Sequence, residues 1–328
     1  MSLVLCHQDN KAGRSVHSFY RTRWQDSAFY ALTLLSATLV LLVLAGMMLS
    51  LLWYAIPAFV EFGPGFLSRV EWDPVNDEFG ALIAIFGTLV TSCIAMLLAV
   101  PVSFGIALFI TELCPISLRR PLGVAIEVLA AIPSIVFGMW GLFVLAPILS
   151  DHVQPFLSAT LGRLPGIGFL FNGPMMGIGL LTAGIVLAVM VIPFISSVMR
   201  DAFKTVPPVL KEAAYAVGCT RWEVMCRIVL PHTRSGVSGG IMLGLGRALG
   251  ETMAVTFVIG NTHRLTASLF APGNSITSTL ANEFTEATSR LHTSSLFALG
   301  LILFGMTFVV LLIARFFLMK MAKREGNG

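Results

Sequence analysis

The sequence predicts an all-helical polytopic membrane protein with six membrane-spanning helices. Hydrophobic residues make up 56% of the 328 residues, charged residues only 12%, and the mean hydropathy is +0.86, whereas soluble domains carry about 25% charged residues. Six apolar runs, near 28–52, 81–110, 124–149, 175–199, 236–260 and 295–319, are each long enough to cross about 30 Å of hydrocarbon as a helix. Sixteen of the 21 Lys and Arg residues fall in alternate connections. That asymmetry is what positive loops retained in the cytoplasm produce.

The first run follows a polar segment, residues 1–27, that carries Lys11, Arg14, Arg21 and Arg23. It is too long for the h-region of a cleaved signal peptide and reads as a retained anchor helix. The other basic connections hold Arg119 and Arg120, then Arg200, Lys204, Lys211, Arg221, Arg227 and Arg234, then Arg315 and the tail 320–328 with Lys320, Lys323 and Arg324. Only Arg69, Arg163, Arg264 and Arg290 fall on the opposite side. Both termini are therefore expected in the cytoplasm, and the net charge of +4 is a topology signal rather than a nucleic-acid footprint.

The first outer loop mixes Glu61, Glu71, Asp73, Asp77 and Glu78 with aromatics, which suits either a docking surface for a soluble partner or a solvated connector. Segments 150–173 and 261–294 are rich in Gly, Pro, Ser, Thr and Asn and predict irregular outer connections. His152, His263 and His292 are expected there as surface side chains. Glu127 lies near the inner start of the third run, to stay hydrated or meet Arg119 or Arg120, and Pro133 with Ser134 predicts a kink. Cys6, Cys93, Cys114, Cys219 and Cys226 are scattered, so neither a disulfide framework nor a metal site is expected.

The segment TVPPVLKEAAYAVGCTRWEVMCRIVLP between the fourth and fifth runs is patterned. Pro207 and Pro208 suit a helix start, and Leu210, Ala213, Ala214 and Val217 recur on one apolar face. Gly218 predicts a left-handed C-terminal stop. Thr220 and Glu223 form a capping-box pattern for a second helix with Trp222, Met225, Cys226 and Val229 on its apolar side, and Pro231 is expected to end it.

Glu212-Ala213-Ala214, then Gly218, then Ile228-x-Leu230-Pro231 resembles the EAA loop of ABC-importer permeases in residues and spacing. Two further segments, AAIPSIVFGMWGLFVLAPIL (130–149) and GLGRALGETMAVTFVIGN (244–261), are similar to the PstC-type membrane subunits of bacterial high-affinity phosphate importers. The resemblance covers the chain after residue 27. It implies a type I ABC importer permease (MetI-like) fold over 28–319 in the bacterial inner membrane. It also implies a second, homologous permease subunit, two copies of an ATP-binding cassette ATPase and a periplasmic phosphate-binding protein. In that family the loop, about 205–231 here, docks on the ATPase. Glu212, Ala213, Ala214 and Gly218 would make the contact, with Ile228, Leu230 and Pro231 completing the element. The sequence has no G-x-x-x-x-G-K-[ST] phosphate loop, so ATP and Mg are expected on the partner ATPase, with no cofactor, metal or catalytic residue on this chain.

GRALGETMAV (246–255) places Arg247 and Glu251 in the fifth apolar run, where a charge costs roughly 2.5–3.5 kcal/mol. Counted from Gly236 at 1.5 Å per residue, Arg247 is about 17 Å into the membrane. On a regular helix, Gly236, Gly240, Gly244, Arg247 and Glu251 share a face, and Gly239, Gly246 and Gly250 a neighbouring one, spacings that let helices approach closely. Two readings follow: the charges neutralise each other at i, i+4, or they line a translocation path. For the second, a guanidinium matches phosphate oxygens with paired donors, and Glu251 accepts from the P–OH that phosphate has and sulfate lacks. The rivals are a permease for another oxyanion, such as molybdate or sulfate, and an ATP-independent secondary transporter or channel. A secondary transporter predicts inverted repeats and broken membrane helices, neither evident in the sequence.

Overall fold

The computed structural model describes residues 12–166 and 168–325, with side chains over 24–166 and 168–316. Cys6 and the side chains of the basic terminal residues Lys11, Arg14, Arg21, Arg23, Lys320, Lys323 and Arg324 lie outside the described residues. The chain divides into two units, residues 1–53 and 54–328. In the first, helix α1 (Ala12–Phe62) exposes its apolar side chains from Phe29 to Trp53 almost all round. That is the pattern of a helix whose solvent is lipid or another apolar surface.

The second unit is built from helices joined by turns and coil. After α1 come α2 (Leu82–Leu108), α3 (Ile116–Ala130), α4 (Ser134–Arg163) and α5 (Leu180–Lys204). Then follow two short helices, α6 (Pro208–Ala216) and α7, which starts at Arg221–Val224 and runs on through a wide π turn at Met225–Val229 to Leu230–His232. The chain ends in α8 (Arg234–Leu249), α9 (Met253–Val258), α10 (Ile276–Glu283) and α11 (Arg290–Glu325).

Among the described residues, five of these helices are long and apolar enough to cross a membrane. The fifth predicted span, 236–260, is divided into α8 and α9 by Gly250, Glu251 and Thr252. The broken membrane helix that the sequence does not show is therefore present. The third predicted span also moves. Pro133 has no N–H to donate and keeps the residue before it out of the helical region, so the run 124–149 splits. Residues 116–130 form a separate helix, and the long span begins at Ser134 and continues to Arg163. Segment 150–163, expected as irregular, is the far end of α4.

Two apolar cores hold the second unit. The larger surrounds α5, whose Leu187, Val191, Ile195 and Met199 are fully buried with Ala95 and Ala99 of α2 and Val255 and Val258 of α9. Helices α2 and α5 close tightly because Gly184 leaves room for Ile94, which a Cβ at 184 would meet at 2.6 Å. Ser103 Oγ donates to Ile192 O at 3.0 Å, and Phe104 meets Phe203 edge-on at 5.9 Å. The smaller core gathers Phe62, Phe66, Trp72 and Phe79 with Ile276, Leu296 and Leu299.

Segment 261–294 is the larger departure from the irregular outer connection expected. Residues 270–271 and 273–279 are buried, and Ile276 N donates to Thr88 Oγ1 of α2 at 3.0 Å. A Cβ on Gly87 would lie 1.8 Å from Asn274 O. The segment folds back into the bundle because small and polar residues on both sides allow backbone-to-backbone approach.

Candidate functional site

Arg247 and Glu251 do not share a helical face, because the helix ends between them. Gly246 and Gly250 weaken the helix locally, and α8 stops with Gly250 N still reaching Gly246 O at 3.3 Å. The break frees backbone groups that must find partners away from water. Glu251 supplies one, its Oε1 accepting from Ala254 N at 3.3 Å in the first turn of α9. Thr277 supplies another, its hydroxyl donating to Glu251 O at 2.7 Å. Glu251 is thus half-buried and tied to the start of α9, which overturns the i, i+4 pair: among the described residues no ion pair joins it to Arg247.

The glycine stripe lies where the periodicity puts it. Cβ atoms on Gly236, Gly240 and Gly244 would meet Ala202, Val198 and Ile195 of α5 at 2.5, 3.2 and 2.5 Å, so α8 lies close on α5. Of the neighbouring face, Gly246 approaches Leu311 of α11 at 3.8 Å, while Gly239 faces open space. Arg247 sits at the end of the first stripe, its Cζ 5.6 Å from the Phe194 ring centroid of α5, a cation–π contact, with the side chain otherwise exposed. Near the break, Asn261 donates to Thr256 O at 3.1 Å, and Ser278 Oγ bonds Asn261 Oδ1. Thr277, Ser278 and Asn261 were not singled out in the sequence. The only signal there is Ser275, the N-cap that receives Ser278 N at 3.1 Å.

A second polar cluster also escaped the sequence. His263 and His292, expected as surface residues, converge on Glu283. His263 Nε2 lies 3.1 Å from Oε1, and His292 Nε2 3.0 Å from Oε2. Trp72 Nε1 donates to the same Oε2 at 2.7 Å, and the Trp72 ring stacks on His263. Burial raises the Glu283 carboxyl, but the bonds from His263, Trp72 and His292 outweigh it and hold the group below the ordinary glutamate value of 4.5. Among the described residues no cluster of three His, Cys, Asp or Glu is arranged to hold a metal. His152 is exposed, as expected.

The patterned loop forms two short helices, as predicted. Pro207 is the N-cap of α6, and Gly218 adopts φ +92° after it. Gly218 N bonds Tyr215 O at 3.0 Å and Cys219 N bonds Ala214 O at 3.1 Å, a Schellman stop. Thr220 and Glu223 close the capping box of α7, and the Thr220 amide and hydroxyl hold the Glu223 carboxyl below its usual range. Glu212 and Ala213 are exposed and Ala214 is buried. The rest of the predicted apolar face is not covered: Val217 is 86% exposed and Leu210 43%. Ile228, Leu230 and Pro231 are half-buried. Pro231 does not end α7: the helix widens to the π turn at Met225–Val229 just before it and continues to His232; the break falls at Thr233. Glu127 meets neither Arg119 nor Arg120. It pairs with buried Arg200 at 2.6 Å, whose guanidinium lies over Gly123 of α3.

Residues 104–323 match the family described as binding-protein-dependent transport system inner membrane component. The chain is 57% identical over 301 residues to the phosphate transport system permease protein PstC of Mesorhizobium japonicum, covering 92% of each. It is 52% identical to the protein of that name from Haemophilus influenzae, over 94% of this chain and 98% of the relative. The probable phosphate transport system permease protein PstC of Methanocaldococcus jannaschii is 38% identical over 80% and 84%. A chain of a bacterial alginate ABC transporter, solved with its periplasmic protein bound to alginate pentasaccharide, superposes with TM-score 0.61 over 93% of this chain and 98% of that chain at 18% identity. A broken-helix bundle carrying an EAA-type loop is thus found with relatives of nearly full length, and the chain belongs to the family of binding-protein-dependent transport system inner membrane components.

Proposed function

We propose that this chain is the membrane-spanning permease subunit of an ATP-driven importer for inorganic phosphate. The observation that carries the substrate is the near-full-length identity of 52–57% to phosphate transport permeases. The chain is a transport component and not an enzyme. It pairs with a homologous permease subunit, takes phosphate from a periplasmic binding protein, and meets two copies of an ATPase that hold ATP and Mg. Both termini and the α6–α7 loop face the cytoplasm, as the Lys and Arg distribution indicates.

Arg247 attracts the anion and Glu251 selects among anions. Support for Arg247 comes from its exposed guanidinium, free of any ion pair among the described residues and placed at the helix break, where irregular backbone is tolerated beside a polar pathway. Glu251 spends one oxygen on α9, which leaves the other to accept a P–OH proton. Glu212, Ala213 and Gly218 contact the ATPase, with Ala214, Ile228, Leu230 and Pro231 supporting them from the buried side. The test is phosphate uptake by the full complex in liposomes. Arg247→Gln is expected to lower uptake about tenfold or more, the loss of one charge-assisted pair, and normal uptake would remove Arg247 from the path. Glu251→Gln is expected to admit sulfate, and unchanged discrimination would remove that role.

A further inference from the structure

Helix α6 is held to the bundle covalently through residues 205–207 to the end of α5, by Ala214, which is buried in the larger apolar core, and by an ion pair, Lys211 Nζ to Glu112 Oε1 at 2.5 Å, between residues 99 apart in sequence. Both side chains are largely withdrawn from water, 19% and 11% exposed. Among the described residues no other ion pair joins α6 to a membrane helix.

What surrounds this pair makes it more than a surface contact. A cavity of about 780 Å³ lies where α6 meets the end of α2, lined by Glu112 and Lys211 themselves, by Arg119 and Arg221, and by the apolar Ile110 and Phe203. The ion pair forms part of its wall. Glu112 reaches it because α2 ends in a π turn, Phe109–Leu113, closed by Cys114 N to Phe109 O at 2.8 Å. One extra residue in that turn changes the direction in which the helix end points its side chains. Lys211 and Ala214, three residues apart, face the bundle, while Glu212 and Ala213 face away. Helix α2 in turn packs against both α5 and α8, the helix that carries Arg247.

We propose that Glu112 and Lys211 are positioning residues that form a strut, transmitting displacement of the docking helix α6 to α2 and so to the helices around the break at Gly250. This rests on the reading of α6 as the ATPase contact. A strut of opposite charges at the cavity wall transmits both push and pull, which a merely adjacent apolar surface does not. Reversing one charge reverses the force. Lys211→Glu sets two carboxylates against each other, and Glu112→Lys adds a cation beside Lys211, Arg119 and Arg221.

The experiment uses the complete complex in liposomes, with three readouts: ATPase co-purified through this chain, ATP hydrolysed, and phosphate taken up per ATP. Lys211→Glu and Glu112→Lys are each expected to lower uptake per ATP about tenfold while the ATPase still co-purifies. The double exchange should restore it to within about twofold, as a direct pair requires. Glu112→Gln and Lys211→Met, which keep shape and remove charge, should give the same defect in milder form and serve if a reversal fails to fold. Wild-type coupling in the single variants, or no rescue by the exchange in a folded complex, overturns the strut. Loss of the ATPase from Lys211→Glu also overturns it, by making Lys211 a docking residue. The underlying reading fails separately, if the wild-type complex carries no ATPase or hydrolyses ATP without regard to phosphate and binding protein.

Discussion

The α6–α7 loop and the segment from Gly250 to Glu283 are of similar length, and they are held by different means. In the loop, the defining bonds span three to five residues: Gly218 to Tyr215, Cys219 to Ala214, and Thr220 to Glu223 in both directions. In the segment, Ile276 bonds Thr88, 188 residues away, Thr277 bonds Glu251, 26 away, and Glu283 receives Trp72, 211 away. A substitution in the loop should therefore act locally, and one in the segment should act on the whole bundle. The division suits the roles proposed for them: a docking element that moves needs internal rigidity, whereas a broken helix beside a pathway needs its neighbours to hold it.

The sharpest way to break that contrast is Gly87→Ala. Its Cβ would occupy the position of Asn274 O, and backbone cannot swing aside as a side chain does. Overpacking costs about 1–3 kcal/mol and occasionally more, and this site belongs at the upper end. Thermal unfolding in detergent should show the loss, and an unchanged Tm would mean that the segment does not pack on α2.

Next in size is Glu283→Leu, which strands the Trp72 N–H and both imidazoles. A buried group left unpaired costs about 1–3 kcal/mol, expected as a lower Tm. The pH dependence has a definite sign. The Glu283 carboxyl is depressed in the fold below its ordinary 4.5, so its contribution is fully present above that value and is lost as pH falls through the folded value beneath it. The stability gap between wild type and Glu283→Gln should narrow as pH falls below 4.5. A gap that fails to narrow below 4.5 would contradict the assignment.

The smallest effects belong to the loop. Thr220→Ala removes the cap of α7 and should cost about 1 kcal/mol, visible as faster amide exchange at 221–224 without a shift at 276–283. Gly218→Ala meets no neighbour within 4 Å, so its only penalty is the positive φ, about 1 kcal/mol. If either change destabilises the 250–283 segment as well, the two regions are coupled more closely than their hydrogen bonds indicate.

The same distinction explains what was legible before the structure. The Schellman glycine, the capping box, the start at Pro208 and the glycine face of α8 are local or periodic, and each sits where its pattern places it. Pro133 predicts a kink from sequence, and it separates two helices because the residues before it form an amphipathic helix of their own. The break at Gly250 was hidden by pattern: the apolar run continues through GRALGETMAV, and Gly246 and Gly250 read there as a close-packing face. It opens because Thr277 and the Glu251 carboxylate accommodate the freed backbone groups. Glu283 with His263 and His292 had no readable signal, since no spacing rule connects residues in a loop and two different helices.

The sequence by itself determined that this is a helical membrane protein, which runs are apolar, and where a two-helix loop of EAA type sits. Those properties follow from burial in hydrocarbon and from bonds between near neighbours. Only the tertiary structure decided that the fifth span is broken at Glu251, that the Ser- and Thr-rich segment after it returns to the core, and that Lys211 reaches Glu112. Each of these depends on which backbone and side-chain groups meet across long stretches of chain, and that is fixed by packing the helices together.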